Sequence, residues 1–178
     1  MTIEKKIDLV VKRTFDPKIC RHFMNGDVQV LHCHHYATLY CQLADDAKMF
    51  DGKSLLRKAA EMSFAPVLRK LMQAADVTAA ADKIRIAEEY WRYAGMGKLQ
   101  FERVGEMSAA AVMEKSHVDE GWIKKWGKRE APVNFIGQGY LAAAMAVIYD
   151  LPNGSYLVNE NASIVSGADV SRFTVVRF

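Results

Sequence analysis

The sequence predicts an α+β fold in which N-terminal helices pack on an antiparallel sheet and a buried helix crosses it. Three observations carry that expectation. Apolar residues recur at helical spacing through much of the first half, alternation and turn dipeptides mark strands in the second, and one oily run, Val133 to Tyr149, interrupts those strands. The 178 residues, 51% hydrophobic and 25% charged, suit one packed domain and exclude disorder or fibrous repeats.

The elements follow in order. A loosely patterned start leads to an Asn25-Gly26-Asp27 turn signal and a short strand, Val28-Gln29-Val30-Leu31. Tyr36, Leu39, Tyr40, Leu43 and Ala47 fall at helical spacing, predicting an amphipathic helix from His34 to Met49 that Asp51-Gly52 ends. Ser54 is the expected N-cap of a helix running to Met72, with Leu55, Leu56, Ala59, Met62, Val67, Leu68 and Leu71 as its apolar set. Pro66 falls inside that pattern and predicts a kink or two shorter helices. Thr78 is the expected cap of a helix from Ala79 to Tyr93, closed by Ala94-Gly95.

Lys98 to Val104 then alternates apolar and polar as a half-buried strand does, with Glu106 to Met113 as its expected partner. Ser116 starts a helix through Trp126, where Asp119-Glu120 serve the first turn electrostatically. Ala131-Pro132 breaks the chain before the helix Val133 to Tyr149. Its small residues, Gly137, Gly139, Ala142, Ala143, Ala144 and Ala146, predict close approach to the sheet. Ser155 to Val165 and Ser171 to Phe178 are expected strands, separated by a Gly167-Ala168-Asp169 turn. The chain thus reads as a single domain over 1–178, with 1–52 an N-terminal extension and first helix and 53–178 the core.

Composition narrows the function classes. A net charge of +3, with no Lys/Arg run longer than two residues, argues against a nucleic-acid partner. Lys124-Lys125, Lys128 and Arg129 make only a modest basic patch. Three cysteines form no disulfide framework and suit a reducing compartment. The charged start, Met1 to Asp8, lacks the apolar region of a secretory signal. Val133 to Tyr149 falls short of the roughly 20 residues a membrane span needs. A cytoplasmic protein without a membrane span is expected. No Gly-rich phosphate loop, G-x-S-x-G or HExxH motif occurs.

The last third is more specific. Ala131-Pro132-Val133-Asn134-Phe135, Gly139-Tyr140-Leu141-Ala142, Glu160-x-x-Ser163 and Gly167-x-x-x-Ser171-x-Phe173 resemble the 4-vinyl reductase domain, and Ser116, 18 residues before Asn134, fits that spacing. The family includes the sensor modules of phenol-responsive activators and stand-alone hydrocarbon-binding proteins, and its fold is related to vesicle-tethering subunits that hold an acyl chain. Its pattern at four of these positions is Cys, Glu, Cys, Cys, which binds a structural zinc in many members. Here those positions are Asn134, Glu160, Ser163 and Ser171. Zinc sites of that kind depend on thiolates, so no metal is expected there. A hydrogen-bonded polar cluster tying the terminal hairpin to the Val133 helix is expected instead.

The resemblance also implies an internal cavity for a hydrophobic or aromatic ligand, lined by Tyr93, Phe101, Met113, Trp122, Tyr140 and Tyr156. The same aromatic and methionine set reads equally as plain core. Related domains pair, so a homodimer is expected.

His32-Cys33-His34-His35 is the most unusual run, and the resemblance does not account for it. Three readings stand. His32, His34 and Cys41 could ligate a metal, since His34, Thr38 and Cys41 share a helix face. Cys33, with His34 and His35, is a candidate for a catalytic role as a nucleophile; adjacent helical residues point about 100° apart, so its base would come from His22 or His117 in space. The third reading is a helix start with solvated or ligand-orienting histidines and small, buried cysteines. Two functions therefore compete: a stand-alone binding protein with no predicted cofactor, and an enzyme or enzyme subunit centred on the His/Cys cluster.

Overall fold

The structure, a computed structural model, describes residues 9, 11–30 and 33–178. It opens with a small antiparallel sheet of β1 (Arg13–Asp16), β2 (Arg21–Met24) and β3 (Asp27–Gln29), in that spatial order. Met24 pairs with Asp27, which makes Asn25-Gly26 a two-residue hairpin loop. Both loop residues have positive φ, 50° and 85°, the twist-matched geometry that Asn-Gly favours. The Asn25 side chain also accepts the Lys12 amide at 2.8 Å. Of this sheet the sequence predicts the turn and β3. Leu31, the expected end of that strand, lies outside the described residues.

Three helices follow: α1 (His34–Asp46), α2 (Gly52–Ala74) and α3 (Ala80–Tyr93), with a 3-10 turn at Lys48–Phe50 between the first two. The expected helix to Met49 therefore ends three residues early and tightens. Asp51, not Ser54, caps α2, accepting the Ser54 amide at 3.4 Å. Pro66 does not divide α2: it sits on the exposed side of the helix, where the hydrogen bond its missing N–H forgoes is not lost inside the core. Ala79 occupies the N-cap of α3 with no side-chain cap bond, so Thr78 does not take the role expected of it.

The second half builds the main sheet from β4 (Gly97–Val104), β5 (Ser108–Ser116), β6 (Tyr156–Ala162) and β7 (Ser171–Arg177). Its order is β4-β5-β7-β6, antiparallel throughout. Between β5 and β6 lie α4 (His117–Trp126) and α5 (Phe135–Ile148). Ser116 caps α4 and Asn134 caps α5, each through its side-chain oxygen.

Helix α5 is buried along almost its whole length, as its uniform hydrophobicity requires. Gly139 allows one side of that burial. A Cβ there would lie 2.3 Å from the Arg57 carbonyl oxygen and 2.7 Å from the Ala60 Cβ, so this glycine serves the crossing with α2 rather than the approach to the sheet. Between α2, α3 and α5 the core is aromatic. The Tyr140 ring lies 4.4 Å from Trp91 and 5.0 Å from Phe64, edge-on to the latter. Its hydroxyl donates to the Ala87 carbonyl, while Trp91 Nε1 finds no acceptor among the described residues. Among the described residues no helix is long and apolar enough to cross a membrane.

Candidate functional site

The small N-terminal sheet and the turn from α3 into β4 enclose a pocket of about 520 Å3. The sheet supplies Arg13, Phe15, His22, Phe23 and Met24. The turn supplies Tyr93, Ala94, Gly95 and Met96, and His117, the first residue of α4, closes one end. Local structure explains the placement. Gly95, at φ 79°, ends α3 and redirects the chain into β4. The His117 amide donates to the Met96 carbonyl at 3.0 Å, which ties α4 to that turn. Arg13 Nη2 donates to the Tyr93 carbonyl at 2.8 Å, joining the two walls. The Phe15 and His22 rings, both on the pocket wall, sit 4.7 Å apart.

A second feature lies inside the protein, beneath α4. Asp119 is fully buried and receives only neutral donors: Asn134 Nδ2 at 3.3 Å, Ser171 Oγ at 3.3 Å and Ser163 Oγ at 3.4 Å. Asn134 Nδ2 also donates to Ser116 Oγ at 3.1 Å and approaches the Met113 sulfur at 3.5 Å. The Ser171 hydroxyl in turn accepts the Ile164 amide at 3.0 Å. The polar cluster expected of Asn134, Ser163 and Ser171 is therefore present, and its hub is Asp119, which sequence reasoning assigned only to the first turn of α4. A local role in a Ser-x-x-Asp helix start hides a tertiary one.

Glu160 belongs to the same interior, and both its carboxylate oxygens are buried. Burial, then the neighbouring Asp119 charge, pushes its carboxyl up to about 7. Ser163, Ser171 and Gln138 pull it back down from nearby, but none reaches hydrogen-bond geometry with its oxygens. Burial raises Asp119 as well, against the four hydrogen-bonding side chains Ser116, Ser171, Asn134 and Ser163. No Lys or Arg among the described residues forms an ion pair with either carboxylate. Neighbouring buried acids disfavour carrying two charges at once.

The other expected site residues fall in several places. Of the six expected to line a cavity, Tyr93 reaches the pocket. Phe101, Met113, Trp122, Tyr140 and Tyr156 are buried in the core, away from it. The Tyr156 hydroxyl donates to the Glu106 carbonyl at 2.7 Å, and Trp122 packs 4.5 Å from the Trp126 ring with the Arg129 guanidinium 5.0 Å from its centroid.

His34 comes within 5.7 Å of the His117 ring and 4.8 Å of His35, centroid to centroid. Helices α1 and α4 are close there because Gly121 faces His34 and Thr38, where a Cβ would meet the His34 Cβ at 2.6 Å. Cys33 is exposed, and Cys41 is fully buried. Burial, with the Asp119 charge behind it, pushes the Cys41 thiol up to about 12, so it stays protonated at neutral pH. His32 lies outside the described residues, and among those described no three His, Cys, Asp or Glu side chains are placed to hold a metal ion. Sequence reasoning missed Arg13 and Phe15 altogether and gave His22 only a possible supporting role, because β1 and β2 carry no apolar alternation to mark them.

No protein-family model and no curated protein matches the chain. Solved structures do. The phenol-responsive sensory domain of the transcription activator PoxR, determined with phenol, superposes with a TM-score of 0.76 over 93% of this chain and 84% of that one, at 15% identity. A trafficking protein particle complex subunit 3 from Naegleria fowleri, covalently bound to palmitic acid, superposes at 0.53 over 82% of this chain and 95% of that one, at 10% identity. The chain shares its α+β fold with that sensory domain.

Proposed function

We propose that the chain is a cytoplasmic small-molecule-binding protein of the 4-vinyl reductase domain type, which takes a small hydrophobic or aromatic molecule into the pocket between β1–β3 and the α3–β4 turn. One observation carries the reading: a hollow of about 520 Å3 whose walls are largely Phe15, Phe23, Met24, Tyr93 and Met96, with a few polar groups among them. Ligand sites are commonly concave, apolar and sparsely polar in that way, with volumes of roughly 300–1,000 Å3. The shared fold with a domain solved with phenol supports it. In this reading the Asp119 cluster braces the frame and takes no part in binding.

The test is occupancy. Ala94 is exposed on the pocket wall, so Ala94→Trp fills the hollow without disturbing the core. Titration with 1-naphthol, followed by thermal shift and isothermal calorimetry, is expected to give saturable binding to the wild type and none to Ala94→Trp at an unchanged melting temperature. Equal binding by both proteins overturns the assignment of the pocket.

The chain is further proposed to pair with a second copy of itself through α1. Tyr36, Leu39, Tyr40 and Leu43 are all exposed on one face of that helix, and Met49 and Phe50 extend the surface.

A further inference from the structure

Arg13 is the one formally charged group on the pocket wall. Arg13, His22 and His117 line it with the neutral Thr14 and Gln29, and no carboxylate is among the lining residues. The Arg13 guanidinium is anchored at the rim by its bond to the Tyr93 carbonyl, which uses one of its five N–H donors. No Asp or Glu among the described residues forms an ion pair with it. The carboxylates of neighbouring elements are already engaged: Asp27 with Lys70, Glu89 with Arg92, Glu114 with Lys98, and Asp16 with the Lys18 amide.

A tethered guanidinium with no counter-ion among the described residues, lining an apolar hollow, is complementary to a carboxylate, which it can grip with two parallel hydrogen bonds. We infer that the pocket selects amphipathic acids: molecules with an aromatic or acyl body seated among Phe15, Phe23, Met24 and Tyr93, and one carboxylate delivered to Arg13. This rests on the reading of the hollow as a ligand site and narrows the class of ligand. Neutral phenols and hydrocarbons satisfy the apolar walls but leave the cation unmatched.

Matched probes separate the two levels. Calorimetric titration would use 1-naphthoate against 1-naphthalenemethanol, and decanoate against decanol. A hydrogen bond to a charged partner contributes about 1.5–3 kcal/mol, so each acid is expected to bind about tenfold to a hundredfold more tightly than its alcohol. Raising NaCl to about 0.5 M is expected to narrow that gap. Arg13 stands on an exposed strand, so Arg13→Gln keeps the fold. It should remove the preference by lowering acid affinity at least tenfold more than alcohol affinity, and Arg13→Lys should retain part of it. Equal affinity for acid and alcohol, unmoved by Arg13→Gln, overturns the acid selectivity and leaves the ligand pocket standing. Binding of neither pair, by wild type or variant, overturns both.

Discussion

Asp119 and Glu160 are two buried acids with no cation between them, and that arrangement makes the fold sensitive to pH. The Glu160 carboxyl ionises near 4.5 in a free chain but only at about 7 in the native protein. Below the lower value both states hold the proton, and above the upper one both have released it. Between them only the native state binds it, so stability falls as pH rises through this window, by about 1.4 kcal/mol per unit and on the order of 3 kcal/mol in all. Asp119, also raised, acts in the same direction. Glu160→Gln imitates the protonated acid. Urea unfolding midpoints from pH 5 to pH 8 should fall for the wild type and fall less steeply for Glu160→Gln, which becomes the more stable protein at pH 8. Parallel curves for the two proteins would contradict the assignment. At this scale the sequence was informative about Asn134, Ser163 and Ser171, because an amide and two hydroxyls need hydrogen-bond partners once they are buried. It was silent about the proton, because nothing local to Asp119 shows that β6 will bring a second acid beside it.

Legibility at the level of elements follows how much of each is buried. Helix α5 was readable from its uniform hydrophobicity, and β4 and β7 from their alternation. Strands β1 and β2 were not, since most of their side chains face solvent and the pairing depends on the Asn25-Gly26 loop. The pocket is therefore formed in part by the segment with the weakest pattern, and the aromatic residues with the strongest pattern went to the core. The small residues of α5 were legible as a sign of close approach but not of its partner. That partner includes α2, and the contact at Gly139 is against backbone, which cannot move aside. Gly139→Ala should therefore destabilise the protein by about 1–3 kcal/mol, despite the better helix propensity of alanine. Ala143, also buried in α5, tests the opposite change: Ala143→Gly removes a methyl group and costs about 1 kcal/mol through helix propensity alone. A smaller loss at Gly139 than at Ala143, measured by urea denaturation, would show that the α2–α5 crossing is not tight.

For the molecule as a whole, α+β architecture was predictable because helical periodicity and strand alternation occupy different stretches of the chain. The order β4-β5-β7-β6 was not, because β7 inserts between β5 and β6 by a pairing that no local signal encodes. The same limit applies to the outer surface. Residues Tyr36, Leu39, Tyr40 and Leu43 have the spacing of a buried helix face, and the sequence reads them as one, yet each is between 40% and 56% exposed. The face of α1 that packs inward is instead Ala37, Thr38, Cys41 and Ala44, small residues that let it lie close to α4. Helix α1 thus carries two faces, a small one turned in and a large apolar one turned out, continued by Met49 at 92% and Phe50 at 73% exposure. A contiguous patch of that kind is costly to leave in water and marks an interaction surface. A second copy, as proposed, would cover it without introducing like charges at its centre, since the four α1 side chains are uncharged. Light scattering after size exclusion is expected to report a dimer for the wild type and a monomer for Tyr40→Glu combined with Leu43→Glu, which would bury carboxylates against each other across the interface. Both substituted positions are exposed, so the helix content of the variant should match the wild type by circular dichroism, and a dimer that survives both charges must form elsewhere.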